Sequence, residues 1–315
     1  MSKPIRRIGP IGLIGLGLMG SAIAERLLAG GFTVVGWDIS PEARQRFTKL
    51  GGQAATSATD VFARCERILL SLPDSKITRS VLREATPTLH NGHTIADTST
   101  GDPRDAAEFN QQLAPTGATY LDATISGNSD QVRRAEVLVM VGGLKPAFTR
   151  CKELFDTFAA RTVHTGLTGS AAQMKLVTNL VLGLNRAALA EGLVFAHALK
   201  LDGKQALEIL RASMAYSRIM DVKGEKMLRG DFKPQARLSQ HLKDVRLMLA
   251  AAAKAHTKLP LSETHRKILS AAEAAGYGHL DNSAIIRVIG APRPATARPK
   301  PIRPISRILP ISSPR

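Results

Sequence analysis

A chain of 315 residues with 44% hydrophobic and 22% charged residues can bury two cores, and its bulk composition excludes a disordered or fibrous protein. A formal net charge of +17 suits nucleic acid, an anionic substrate or a basic tail, but 4% aromatic residues leave little for bases to stack on and weigh against single-strand binding. Part of the excess is a tail, since Arg293, Arg298, Lys300, Arg303, Arg307 and Arg315 face no acid after Asp281. Cys65 and Cys151 are far apart and read as buried free thiols of a reducing cytoplasm. The 8 histidines are scattered, and His90 and His93 only flank a turn, so no metal site is expected.

Lys3, Arg6 and Arg7 before an apolar run imitate a secretory signal, yet Gly12, Gly15, Gly17 and Gly20 interrupt that run at spacings a signal does not require. A short strand over residues 11–15 therefore leads into Gly-x-Gly-x-x-Gly (Gly15, Gly17, Gly20) and a helix that Gly30 and Gly31 stop. Residues 32–37 form the next strand, ending at Asp38, and Ser40 with Pro41 starts a helix. Further strands are predicted at 67–72, 94–97, 119–123, 137–141 and 162–165, separated by helical patterns. Strict alternation implies parallel pairing, right-handed crossovers and helices on both faces, an α/β Rossmann-type doubly wound sheet.

From Gly169 the pattern changes. An apolar helix runs to about Lys200, and helices follow at 203–212, 217–228, 237–256, 261–275 and 283–288. We expect three parts: a dinucleotide-binding domain over 1–168, an all-α domain over 169–289 for substrate and oligomerisation, and a basic, proline-rich disordered tail over 290–315. Residues 176–199 are long enough to cross a bilayer, but Asn179, Asn185, Arg186 and Glu191 lie among them and are costly in lipid, so no membrane span is expected.

The glycine triplet gains meaning from its context, after a strand and opening a helix. Gly15 permits the tight turn, Gly17 lets backbone approach a pyrophosphate, and Gly20 lets the helix pack on the sheet; the N–H groups of Leu18 and Met19 then point at phosphate. Asp38 at the end of the second strand accepts from ribose hydroxyls and repels a 2′-phosphate, which favours NAD over NADP, with Arg44 on the next helix as the counter-argument.

With these residues assembled, the chain resembles the β-hydroxyacid dehydrogenase family, which includes 3-hydroxyisobutyrate dehydrogenase, tartronate semialdehyde reductase and, more distantly, 6-phosphogluconate dehydrogenase. The likeness runs from about Ile11 to Ile289. Gly15 to Gly20 is similar to the family's cofactor loop. Leu72 with Pro73, and Asp97 through Ser99 to Thr100, resemble the loops over the nicotinamide half. Asp122 to Gly127 resembles the substrate motif Asp-Ala-Pro-Val-Ser-Gly-Gly, and Gly169 through Lys175 to Asn179 the catalytic motif. Lys243 with Asp244 resembles a Lys-Asp pair of the second domain. The substrate loop departs from the pattern at Thr124, Asn128, Gln131 and Ala135, and Arg133 and Arg134 add charge there.

The resemblance implies hydride transfer between a small anionic 3-hydroxy acid and a nicotinamide in a homo-oligomer, a dimer or tetramer. Lys175 is the expected general base, because an apolar setting disfavours its charged form, and Asn179, one turn later on the same helix face, orients it or the substrate. Ser126 with the backbone N–H groups of Gly127 and Asn128 is expected to hold the substrate carboxylate. Lys243 is expected to offer positive charge to substrate or cofactor. Arg133 and Arg134 read as surface charge ahead of a second anion site. Two rivals remain. An imine or semialdehyde reductase using NADPH is opposed by Lys175 and Asp38. A non-enzymatic module with a nucleic-acid-binding tail is opposed by the retained lysine.

Overall fold

A computed structural model describes residues 9–290 apart from 100 and 102. Thr100 and the tail from 291 onward, both included in the expectations above, lie outside the described residues.

Among the described residues, eight strands form one sheet: β1 (Ile11–Ile14), β2 (Val34–Trp37), β3 (Gln53–Ala54), β4 (Arg67–Leu70), β5 (Thr94–Asp97), β6 (Thr119–Ser126), β7 (Val137–Gly142) and β8 (Ala159–Gly166). Seven helices alternate with them: α1 (Leu18–Ala29), α2 (Pro41–Lys49), α3 (Ala58–Arg64), α4 (Ser75–Ala85), α5 (Pro103–Leu113), α6 (Ser129–Arg133) and α7 (Lys145–Asp156). The strand order is β3-β2-β1-β4-β5-β6-β7-β8. Every residue of β1, β4 and β5 is buried, the polar Arg67, Thr94 and Asp97 at the strand ends included, as in a sheet covered on both faces. Successive residues feed opposite faces: Leu13, Leu69 and Leu121 join Ile23, Leu27 and Phe155 on one side, while Ile14, Ile68 and Ile95 join Phe62, Leu82 and Phe109 on the other. Each such side chain, fully buried, stabilises the fold by roughly 1.5–3 kcal/mol.

The strand order reverses at β1, whose parallel neighbours are β2 on one side and β4 on the other. A crevice therefore opens beyond the carboxyl ends of these strands, where open α/β sheets bind ligands.

Purely parallel pairing does not hold. β6 and β7 are antiparallel, with Asp122 opposite Gly142 and Ser126 opposite Leu138. The link between them holds only the five-residue α6, too short for a parallel crossover. Ala135 completes the return with φ 55, a left-handed conformation that costs a non-glycine residue about 1 kcal/mol. β6 also continues past residue 123 to Ser126. β3 escaped prediction because its two residues are exposed and carry no apolar run.

After β8 come α8 (Ser170–Ala198), α9 (Gly203–Ala212), α10 (Ile219–Arg229), α11 (Leu238–Lys254), α12 (Pro260–Ala272) and the short α13 (Ile286–Ile289). Among the described residues of this part, β pairing is confined to the isolated bridge between Arg237 and Asp281. α8 spans 29 residues, about 45 Å. By length and composition alone it could cross a membrane; Arg186 in its middle is 2% exposed, packed within the protein.

The chain divides into two compact units. One takes the residues up to Leu184 with Leu242–Arg266, and the other takes Asn185–His241 and the residues from Lys267 on. This division falls inside α8, so the first turns of α8 pack with the sheet. In the second unit, Lys223 (5% exposed) donates at 2.9 Å to both oxygens of the fully buried Asp281. That carboxylate also accepts from the N–H of Gln235 and from the Ser283 hydroxyl.

Candidate active site

The glycines of the first loop do different work. A Cβ on Gly15 would lie 2.2 Å from the Ser71 carbonyl oxygen, and one on Gly20 would lie 1.9 Å from the Gly15 carbonyl oxygen. Both are packing positions, and Gly15 also has φ 93, accessible without strain only to glycine. A Cβ on Gly17 would meet nothing within 4 Å. Gly17 thus keeps backbone accessible at the start of α1, where no side chain caps the helix and the first turn carries no acid. Free N–H groups at Leu18 and Met19, with the positive end of the helix dipole, fit a pyrophosphate. Leu18 itself is 82% exposed.

Asp38 stands beside this loop. Its carboxylate accepts from the N–H of Leu16 at 2.6 Å and of Ser40 at 2.8 Å. Those bonds fix its orientation and leave lone pairs for ribose hydroxyls. Arg44 Nη1 donates to the backbone carbonyls of Asp38 at 2.6 Å and Ile39 at 3.3 Å. A guanidinium therefore lies next to the acid, and the fold by itself leaves NAD and NADP both open.

The next two loops are tied together, because Leu72 N–H donates to Ser99 Oγ at 2.9 Å. Ser99 is in turn held through its N–H by Asp97, which also accepts from Tyr120 at 2.8 Å and Thr78 at 3.2 Å. Burial pushes the Asp97 carboxyl above its ordinary value, and these hydrogen bonds oppose it. Pro73 is exposed.

The catalytic motif meets the substrate motif directly. Lys175 Nζ donates to the carbonyl oxygen of Ile125 at 2.7 Å, which sets it beside Ser126 and Gly127 at the end of β6. Burial lowers the Lys175 pKa from its ordinary value, and the negative charge of Asp244 on α11 opposes the shift. Asn179, one turn further along α8, is partly buried. Gly127 has φ 152, and a Cβ there would lie 2.5 Å from Val137 Cγ1, so glycine is required for the turn into α6.

Asn128 is withdrawn from the substrate set. Its N–H donates to Gln131 Oε1 and its side chain accepts from Gln131 N–H, both at 3.0 Å, a complete capping box. Arg133 is paired bidentately with Glu25 at 2.9 and 3.1 Å, and Arg134 with Glu136 at 3.0 Å, in keeping with surface charge. Lys243 is exposed on α11; the structure brings its neighbour Asp244, rather than Lys243, to bear on Lys175. Thr100 lies outside the described residues. Among the described residues no cluster of three or more His, Cys, Asp or Glu side chains could hold a metal ion.

Three participants were not nominated from sequence. The Ile125 carbonyl could not have been, because a backbone acceptor leaves no mark on residue type. Asp244 was visible only as the second half of a pair. Asp122 belongs to the stretch that resembles the substrate motif, and its buried carboxylate accepts from the N–H of Gly169 at 2.8 Å and of Ala172 at 2.9 Å, at the start of α8.

Comparison with known proteins bears on the same residues. Residues 10–166 match the NAD binding domain of 6-phosphogluconate dehydrogenase. Residues 169–289 match the NAD-binding family of NADP-dependent 3-hydroxyisobutyrate dehydrogenase. The chain is 30% identical to 2-hydroxy-3-oxopropionate reductase of Escherichia coli, over 89% of this chain and 96% of that one. It is 29% identical to the cytokine-like nuclear factor N-PAC of Xenopus tropicalis, over 88% of this chain but only 52% of that protein. Among solved structures, 3-hydroxyisobutyrate dehydrogenase of Mycobacterium tuberculosis with L-serine superposes at a TM-score of 0.83 and 25% identity, covering 90% of this chain and all of that one.

Proposed function

The chain belongs to the β-hydroxyacid dehydrogenase family, and from that premise we propose that it interconverts a small 3-hydroxy acid and its carbonyl form with NAD as the preferred cofactor and Lys175 as the base. That it is an NAD(P)-dependent oxidoreductase acting on a CH–OH group follows from its relatives. The observation that carries the finer reading is Lys175 itself. Its amine is held by a carbonyl oxygen, its pKa is lowered by burial, and it stands next to Ser126 and Gly127.

When bound, the nicotinamide supplies the acceptor for the hydride leaving the carbinol carbon. Lys175 takes the hydroxyl proton in that direction and returns it in the other, and a lowered pKa leaves more of the amine free to do so near neutral pH. The Ser126 hydroxyl and the Gly127 N–H hold the substrate carboxylate, and Asn179 orients the hydroxyl or the amine from one turn along α8. Gly15, Gly17, Gly20 and the first N–H groups of α1 hold the pyrophosphate. Leu72, Pro73 and Ser99 line the nicotinamide end, and Lys243 adds positive charge. Asp38 favours NAD by accepting from the ribose and repelling a 2′-phosphate.

We further propose a cytoplasmic homo-oligomer. Two buried free thiols, Cys65 and Cys151, raised by burial to about 11 and about 12, suit a reducing compartment. The exposed Val177, Val181 and Phe195 along α8 suit a second copy. A non-enzymatic, nucleic-acid-binding module is the alternative, and the desolvation of Lys175 favours catalysis over it.

The test is initial rates with NAD and NADP against 3-hydroxyisobutyrate, glycerate, L-serine, 3-hydroxypropionate, 4-hydroxybutyrate and threonate. Turnover of at least one acid with NAD ahead of NADP is expected, and Asp38→Asn should narrow that ratio. A ratio untouched by Asp38→Asn removes Asp38 as the discriminator, and absence of turnover with all six, by either cofactor, counts against the substrate class.

A further inference from the structure

We infer that Asp122 is the positioning residue for Lys175, and that strand β6 acts as the ruler fixing where the amine is presented. The inference rests on the proposed role of Lys175. Four contacts run from β6, between Asp122 and Ile125, to the start of α8 and the residue before it. The Asp122 carboxylate takes the N–H groups of Gly169 and Ala172, one on each oxygen. Thr124 Oγ1 donates to the Ala171 carbonyl at 3.3 Å, and the Ile125 carbonyl receives Lys175 Nζ. One strand thus holds both the start of the helix and the tip of the side chain that the helix carries.

The arrangement is built for a carboxylate. Helix starts leave N–H groups without partners, and a negative charge there is favoured by the helix dipole. Asp122 is 4% exposed, so its oxygens depend on donors close by in the fold. Burial raises its pKa, and the N–H groups of Ala172 and Gly169 pull it back. Opposite it in register stands Gly142, where a Cβ would come within 2.4 Å of Asp122 Oδ1 and 2.8 Å of the Leu167 carbonyl oxygen. Glycine on β7 leaves the space the carboxylate occupies.

The consequence is geometric. Asp122→Asn keeps the shape but turns an NH2 donor toward a backbone N–H, so one of the two bonds is lost and the helix start is released. Asp122→Glu keeps both acceptors on a longer arm. Gly142→Ala leaves Asp122 in place and pushes its carboxylate aside, giving a second route to the same displacement if Asp122→Asn folds poorly. A released Lys175 moves toward water, so its pKa rises toward the ordinary lysine value.

The experiment is the pH dependence of Lys175 acetylation by acetic anhydride in the cofactor-free protein, read by peptide mass spectrometry, alongside kcat and KM for NAD. In Asp122→Asn and Gly142→Ala the Lys175 titration should move up by about one unit. Turnover should fall by about tenfold or more, KM for NAD should stay within about twofold, and Asp122→Glu should recover part of the loss. An unmoved Lys175 titration in whichever variant folds, or equal loss of NAD affinity and turnover, overturns the inference. Failure of the lysine reading shows separately, as full turnover by Lys175→Ala, while the titration still reports where the amine sits.

Discussion

Two lysines, one in each compact unit, meet burial with different partners. Lys175 gives its amine to a backbone carbonyl and feels Asp244 only as a nearby charge. Lys223 lies between the two oxygens of Asp281 with Gln235 Oε1 at 3.0 Å. Burial lowers the pKa of both. In the second case backbone and side-chain donors, Lys223 among them, outweigh the burial that would raise Asp281, and hold its carboxyl at about 2. On the proposed reading, an amine drawn away from water serves as a base or as a structural cation according to whether a full negative charge is placed against it. Lys175 has a dipole instead of a carboxylate, and it can lose its proton without stranding a partner.

The contrast breaks first at Asp281. Asp281→Ala leaves the Lys223 ammonium buried without its counter-charge and should cost roughly 3–5 kcal/mol in urea melts, whereas a matched loss at Lys175 should cost far less. The pH dependence follows from the same bonds. Asp281 has a folded pKa of about 2, depressed below the unfolded value of 3.8. Its stabilisation is thus complete above the unfolded value and disappears as pH falls through the folded one. Stability that stays level down to pH 2 would show that the pair contributes nothing.

The contrast can also be inverted at the active site. Asn179→Asp gives Lys175 a carboxylate one turn away on the same helix face. The lysine pKa should rise by about one unit or more, moving the acid limb of the kcat profile for oxidation to higher pH. Asp244→Asn removes an opposing charge and should move the same limb down by about half a unit. Limbs that do not respond to either change would detach the profile from Lys175.

The comparison also explains what could be read in advance. The strands and their flanking helices were legible because apolar runs, Gly30 with Gly31, and Ser40 with Pro41 mark ends by local chemistry. The glycine loop was legible because each glycine meets a local requirement. The capping box of Asn128 and Gln131 was legible in principle, as Asn followed three residues later by Gln. The antiparallel β6–β7 pair was legible in principle, from a link too short for a parallel crossover, whereas the Ile125 carbonyl and the grip of Asp122 on Gly169 and Ala172 were not. Both of these depend on backbone groups brought together from distant parts of the chain, and backbone groups are the same in every residue. The Lys223–Asp281 pair was hidden for the related reason that 58 positions separate its members.

The central claim is that the Lys175 amine, and not merely the fold around it, moves the proton. The decisive measurement is Lys175→Ala assayed in parallel for NAD dissociation constant and kcat. We predict an affinity within about twofold of the unaltered protein and a turnover lowered by roughly 10²–10⁴-fold. Turnover that survives the substitution, or an affinity that collapses along with it, would contradict the account.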